Sequence, residues 1–447
     1  MSSQLPVVVL VGRPNVGKST LFNRLTGSRD ALVADRPGVT RDRHYGFGNA
    51  AGRRFLVVDT GGLGVDDAAI DELSRRQTEI ALAEADAVLF VLDAAEGATP
   101  GDETIAECLR RLDVPVYAVV NKSEGRDADV ATAEFHALGL GPPRAISARH
   151  GDRVGALMET VLATLPEADE TGPAADAEAP LRMAVLGRPN AGKSTLVNRL
   201  LGEERMLALD EPGTTRDAVA ADFEFDGRAF TVVDTAGIRR RSRIEDPLEK
   251  FSVIKALQAA EAADVVVLMI DARSGVGAQD ARLLGLVTER GRAAVIAVNK
   301  WDGLDPDARD MVRRELEVRL PFLDVLPVCF ISARHGSGLR ELMQSAVRAR
   351  TAAAADLSTS ELSRVLERAV AAHAPPAVQG RRIKLRYAHQ GGRFPPRIVI
   401  HGNRTEHLGP EYKRYLMRRF REAFDLYGTP IELVFRTGDN PYEKKRR

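Results

Sequence analysis

Two nine-residue segments have the residue types and spacing needed to grip a polyphosphate: Gly12-Arg13-Pro14-Asn15-Val16-Gly17-Lys18-Ser19-Thr20 and Gly187-Arg188-Pro189-Asn190-Ala191-Gly192-Lys193-Ser194-Thr195. Each follows an apolar run. Glycines at this spacing let backbone N–H groups turn inward around a β-phosphate at a helix N-terminus. Lys18 then supplies a point charge to the β- and γ-phosphates, and the Ser19 hydroxyl ligates Mg2+. Lys193 and Ser194 repeat both roles. Such a loop does not choose the base. Asn299-Lys300-Trp301-Asp302 does, because a carboxylate there accepts both N–H donors of the guanine edge, a pair that adenine lacks. Ser332-Ala333 follows the next apolar run and offers a backbone N–H to the base carbonyl. The matching residues of the first copy are Asn121-Lys122-Ser123-Glu124 and Ser147-Ala148. The expected ligands are GTP or GDP with Mg2+.

The elements that position these residues are legible as a long internal repeat. The phosphate loop, Pro37-Gly-Val-Thr40-Arg-Asp42 and Asp59-Thr60-Gly61-Gly62 all recur 175 residues later, the last two as Pro212-Gly-Thr-Thr215-Arg-Asp217 and Asp234-Thr235-Ala236-Gly237. A period this long means two whole domains rather than a solenoid. Strand candidates are Val7–Val11, Phe55–Asp59, Ala87–Leu92 and Val116–Val120 in the first copy. In the second they are Arg182–Leu186, Ala229–Asp234, Asp264–Ile270 and Ala293–Val298. Continuous apolar strands alternating with helices predict an α/β fold, with a parallel sheet covered on both faces. The expected organisation is a first domain over 1–165, an acidic linker over 166–180, a second domain over 181–355 and a basic domain over 356–447.

The 63 Lys+Arg and 63 Asp+Glu cancel, but residues 357–447 hold 19 basic and 9 acidic residues, a local charge of +10. Such a block on an acidic body points to a polyanionic partner. Cys108 and Cys329 cannot build a disulfide framework, and neither they nor the eight histidines have metal-ligand spacing. No apolar stretch reaches the roughly 20 residues of a membrane span. A cytoplasmic monomer is expected, with no membrane or DNA partner.

The basic part reads as helix–strand–strand–helix–strand. Ser358 with Glu361 predicts a capping box on a helix burying Leu362, Val365, Leu366 and Ala369. Ile383, Leu385 and Tyr387 alternate with Lys384 and Arg386 as a half-exposed strand. Tyr387, Phe420 and Phe424 read as core. Arg414, Arg418, Arg421 and Lys444–Arg447 are the expected phosphate contacts, sequence-independent and salt-sensitive.

Taken together, the two phosphate loops, the guanine motif and the basic C-terminal part resemble the translation-factor-class GTPases, and among them the tandem GTPase family called Der or EngA. The resemblance covers nearly the whole chain. It implies that Thr40 and Thr215 are switch threonines closing on Mg2+ when the γ-phosphate is present, with Asp59 and Asp234 holding the metal through water. It also implies a KH-like C-terminal domain and a role in assembly of the large ribosomal subunit on its rRNA. The alternative is a nucleotide-sensing scaffold whose first domain binds GTP but barely hydrolyses it.

Two departures from the family pattern bear on mechanism. Glu124 replaces the usual Asp, which predicts weaker guanine selectivity in the first site. Leu63 and Ile238 stand where many small GTPases carry a water-orienting Gln, which predicts slow intrinsic hydrolysis. Asn15 and Asn190 match the residue that, in relatives with an apolar residue there, helps hold a potassium ion acting as an arginine finger. Residues 357–447 contain no G-x-x-G, the nucleotide-clamping loop of KH domains.

Overall fold

The computed structural model describes residues 5–27, 44–60, 81–166, 179–203, 220–233, 253–320, 325–377 and 382–437. The chain divides into two compact units, Met1–Glu170 and Thr171–Arg447.

In the first unit, β1 (Val7–Val11) is apolar and wholly buried, followed by α1 (Lys18–Thr26). Next come β2 (His44–Ala50), β3 (Arg53–Asp59), β4 (Ala87–Asp93), α2 (Pro100–Leu109), β5 (Val116–Asn121), α3 (Ala128–Thr132), β6 (Arg144–Ala145) and α4 (Val154–Ala163). The strand order is β2-β3-β1-β4-β5-β6. β1 has parallel neighbours on both sides, β3 through Val9↔Val58 and β4 through Val9↔Val88. The chain thus leaves β1 in opposite directions on either side, and the crevice beyond its carboxyl end is where open α/β sheets bind ligands. Leu21, Phe22 and Leu25 of α1 and Leu157, Met158 and Val161 of α4 complete the core on the sheet.

The second unit repeats this plan with β7 (Leu181–Gly187), α5 (Lys193–Glu203), β8 (Ala221–Phe225), β9 (Arg228–Val233), α6 (Val253–Ala262), β10 (Val265–Asp271), α7 (Ala278–Glu289), β11 (Ala293–Asn299), α8 (Pro306–Arg319), β12 (Val328–Phe330) and α9 (Leu339–Ala354). Its order is β12-β11-β10-β7-β9-β8. The sheets are not purely parallel as expected: β2 and β8 are antiparallel edge strands on β3 and β9.

The same unit ends in α10 (Thr359–Ala372), β13 (Lys384–Gly392), β14 (Arg397–Asn403), α11 (Pro410–Phe424) and β15 (Glu432–Thr437), with sheet order β13-β14-β15. Leu362, Leu366, Leu416 and Phe420 pack on one face of this sheet, with Phe424 partly buried beside them. It joins the larger sheet through the Ala294 N–H donating to the Gly428 carbonyl (2.8 Å), and α9 through the Phe394 N–H donating to the Ala353 carbonyl (3.2 Å) and an Arg348–Asp425 ion pair of 2.7 Å.

Three expectations for this region change. Ser358 caps α10 by accepting from the Glu361 N–H, but its hydroxyl turns to the Glu361 carboxylate (2.8 Å), so the reciprocal half of the capping box is missing. Arg414 and Arg418 are exposed, whereas Arg421 is half-buried and donates to the Thr429 carbonyl. Tyr387 is exposed rather than core, because a bulge between Leu385 and Tyr387 shifts the alternation by one residue. Lys444–Arg447 and most of the acidic segment lie outside the described residues.

Candidate functional site

The first phosphate loop turns on backbone that only glycine tolerates in comfort. Gly12 has φ 153° and Gly17 φ 97°. A Cβ on Gly12 would strike the Val91 carbonyl, and one on Gly17 the Asn121 amide. Gly187 (143°) and Gly192 (100°) repeat the geometry against Met269 and Asn299. These glycines bring the loop down onto the neighbouring strand ends and open the start of each helix.

In both copies the lysine folds back over its own loop. Lys18 Nζ donates to the Gly12 carbonyl (3.0 Å) and the Arg13 carbonyl (2.7 Å). Lys193 Nζ donates to Gly187 (2.8 Å) and Arg188 (2.7 Å). Burial pushes the Lys18 ammonium down to about 8, opposed by Asp59. A desolvated cation held by two backbone carbonyls is poised for an anion. The Ser19 hydroxyl donates to Asp59 Oδ2 at 2.9 Å. A hydroxyl beside a carboxylate is the hard-oxygen donor set that Mg2+ takes while keeping most of its waters, so these residues fit the expected metal. Thr60 is buried and donates to the Leu10 carbonyl (2.9 Å).

Asn121 and Asn299 do more than the sequence reading assigned them. Asn121 Nδ2 donates to the Val16 carbonyl (2.9 Å), while its Oδ1 accepts from the Ala148 N–H (2.9 Å). Asn299 does the same between Ala191 (2.8 Å) and Ala333 (2.9 Å). One buried amide therefore fastens the phosphate loop to the loop that meets the base. Lys122 and Lys300 both take left-handed backbone, at φ 62° and 64°, and pair at 2.5 Å with Asp93 and Asp271, the last residues of β4 and β10. Ser123 and Trp301 each donate their N–H across to the strand ahead of the Ser-Ala pair, to Ile146 (3.1 Å) and Ile331 (3.2 Å). Trp301 packs on Phe330, ring centroids 4.1 Å apart, beneath Arg309 and Arg313.

Glu124 and Asp302 have matching surroundings despite their different lengths. A hydrogen bond from its own backbone N–H, then one from the Ser147 hydroxyl, hold Glu124 below the usual carboxylate range, with His150 and Arg149 adding to it. Slight desolvation pushes Asp302 up, but the Ser332 hydroxyl, its own backbone N–H, His335 and Arg273 outweigh it. His335 Nε2 lies 3.3 Å from Asp302 Oδ2.

Sequence reasoning missed the acidic residues behind the loops. Arg13 Nε meets the buried Asp102 at 2.9 Å, and Arg188 Nε meets the buried Asp280 at 2.7 Å. Asp93/Asp271 and Asp102/Asp280 recur at one common spacing, 178 residues, the same as Asn121/Asn299. Extending the repeat search to that spacing would have found them. Asn15 (φ 66°) and Asn190 (φ 62°) are exposed, in left-handed backbone. Pro14 and Pro189 flank them, and Ser194 sits at the second helix start. Thr40, Gly61, Gly62, Leu63, Thr215, Asp234, Thr235, Ala236, Gly237 and Ile238 lie outside the described residues, as does Arg239–Arg243.

A doubly wound sheet with a lysine-bearing glycine loop at its switch point and an Asn-Lys motif at the end of the strand two places along defines a P-loop GTPase, here present twice. A family model described as a 50S ribosome-binding GTPase matches residues 7–122 and 182–300, and one described as the KH-domain-like C-terminal region of EngA bacterial GTPase enzymes matches 357–436. The chain is 57% identical over 442 residues to GTPase Der of Thioalkalivibrio sulfidiphilus, covering 99% of this chain and 95% of that one. It is 55% identical to GTPase Der of Halorhodospira halophila over 98% of this chain and 93% of that one, and 54% identical to that of Methylococcus capsulatus over 99% and 95%. The chain belongs to the Der family of GTPases, and hydrolyses GTP to GDP and phosphate. No described helix is long and apolar enough to cross a membrane.

Proposed function

We propose that this chain is a two-site GTP switch acting in assembly of the large ribosomal subunit, docking on rRNA in one nucleotide state. The observation that carries this reading is the pair of equivalent cradles, each with a lysine across its own loop and an asparagine fastening that loop to the base loop. The ribosomal part rests on the family description and on the basic C-terminal part.

Lys18 and Lys193 hold the β- and γ-phosphates. Ser19 and Ser194 would hold Mg2+, with Asp59 and Asp234 reaching it through water. Thr40 and Thr215 would complete its ligands when the γ-phosphate is present. Glu124 and Asp302 read the guanine edge, and Ala148 and Ala333 offer backbone N–H groups to its carbonyl. Bound Mg2+ neutralises charge developing on the phosphates; the chain's own groups bind, orient and desolvate the triphosphate.

Potassium is assigned to Asn15 and Asn190, whose side chains make no hydrogen bond to a described residue and are available to an ion. Turnover is expected to rise when potassium replaces sodium, and unchanged turnover removes the ion. Sedimentation with isolated ribosomal subunits under a GTP analogue, GDP and no nucleotide tests the whole reading. Nucleotide-dependent pelleting with the large subunit is expected; its absence in all three states overturns the ribosomal role.

A further inference from the structure

The small C-terminal sheet has one face covered by α10 and α11, where Ala388, Ile398 and Ile400 are buried. Strand alternation places Tyr387, His389, Val399, His401 and Arg436 on the other. Cross-strand register sets Tyr387 opposite His401, and His401 opposite Arg436. The Tyr387 and His401 rings stack at 4.5 Å with 7° between planes, and His389 stacks on His401 at 5.2 Å. Tyr387 is 44% exposed, the one aromatic among the exposed large hydrophobics of the described residues. His401 Nε2 has no hydrogen-bond partner. Lys384, Arg386 and Arg436 are exposed at neighbouring positions of β13 and β15, while Glu432, four residues along β15 from Arg436, is paired with Arg397 (2.6 Å).

A lone exposed tyrosine is ordinary; a cluster of three flat rings, with Tyr387 and His389 themselves 6.2 Å apart and cations at neighbouring positions, is not a solvated surface. Burial, then His389 and Arg436, hold His401 below the ordinary imidazole value. One exposed ring and three cations match a base with its phosphates, the combination that single-strand binders use. A protein partner would call instead for a contiguous apolar patch. We propose that this open face stacks an unpaired base of single-stranded RNA on Tyr387, with Lys384, Arg386 and Arg436 meeting the flanking phosphates. The inference rests on the RNA-docking reading above and names where an unpaired strand would lie in a domain without a G-x-x-G clamp.

The test is fluorescence anisotropy of a labelled single-stranded RNA 12-mer with the full chain, in parallel with sedimentation on large subunits. Tyr387→Leu keeps the sheet covered but removes the ring, and should weaken 12-mer binding about 5- to 150-fold, the range for one stacked base. Its salt slope should be unchanged. Tyr387→Phe should bind within about twofold of the parent, since stacking needs the ring and not the hydroxyl. Lys384→Ala with Arg386→Ala should lower the salt slope by about 1.4. Equal affinity of Tyr387→Leu and the parent, or a Tyr387→Phe loss as large as the Leu loss, overturns the stack. If the parent pellets with large subunits while Tyr387→Leu binds the 12-mer normally, the stack falls and the ribosomal reading stands. If the parent binds the 12-mer through Tyr387 but pellets with no subunit, the reverse holds.

Discussion

Removing the Glu124 carboxylate is the sharpest probe of the first site. The two base loops share their backbone: Lys122 and Lys300 differ by 2° in φ, and the following residue makes the same cross-loop bond within 0.1 Å. Glu124 also shares with Asp302 a serine hydroxyl, its own backbone N–H and a histidine. These shared partners support the reading that the Glu124 carboxylate meets the guanine edge, with the weaker selectivity expected of its extra methylene. A charge-assisted pair of hydrogen bonds of this kind is lost on Glu124→Ala, which should reduce preference for GDP over ADP at the first site about 10- to 150-fold. Glu124→Asp should retain the preference. The assay is calorimetric titration of the full chain carrying Lys193→Ala, which silences the second cradle, against each nucleotide with Mg2+. Unchanged discrimination in Glu124→Ala would show that the first site reads its base by some other group, and that the matching of the two loops has no functional meaning.

Other outcomes follow from the same geometry. Because burial pushes Lys18 down to about 8, a large share of it is neutral at pH 8.5 before nucleotide binds. Phosphate binding restores the charge, so titrations in buffers of different ionisation enthalpy should reveal proton uptake at pH 8.5 that largely fades by pH 6.5; Lys18→Arg should remove the Lys18 share. The sign is fixed by the depressed value: the empty fold gains stability as pH rises through about 8. Asn121→Ala strands the Val16 carbonyl and the Ala148 N–H and should cost about 2 kcal/mol in first-unit stability, read by thermal unfolding, together with nucleotide affinity. Gly192→Ala drives a methyl into the Asn299 amide at positive φ and should abolish binding at the second site while leaving the first intact.

Legibility in the sequence followed burial. β1, β4, β10 and β11 are unbroken apolar runs because both faces are covered, and their ends were read to within a residue or two. The edge strands escaped notice. β2 reads His-Tyr-Gly-Phe-Gly-Asn-Ala, and its Gly48 exists to make room for the Phe55 ring from the paired strand. A contact between strands leaves no period-2 signal. Tyr387 was misplaced for a related reason: a bulge adds one residue to the alternation, and one residue reverses the face. The phosphate and base motifs were visible as words, but the work of Asn121, Asp93 and Asp102 lies in contacts across tens of residues, visible only as a second repeat spacing.

The count of guanine nucleotides held per chain tests the central claim most directly. Calorimetry of the full chain with GDP and Mg2+ should give two equivalents bound, falling to one in either Lys18→Ala or Lys193→Ala. One equivalent in the unaltered chain, or two that ADP fills as readily as GDP, would contradict the existence of two guanine-selective cradles.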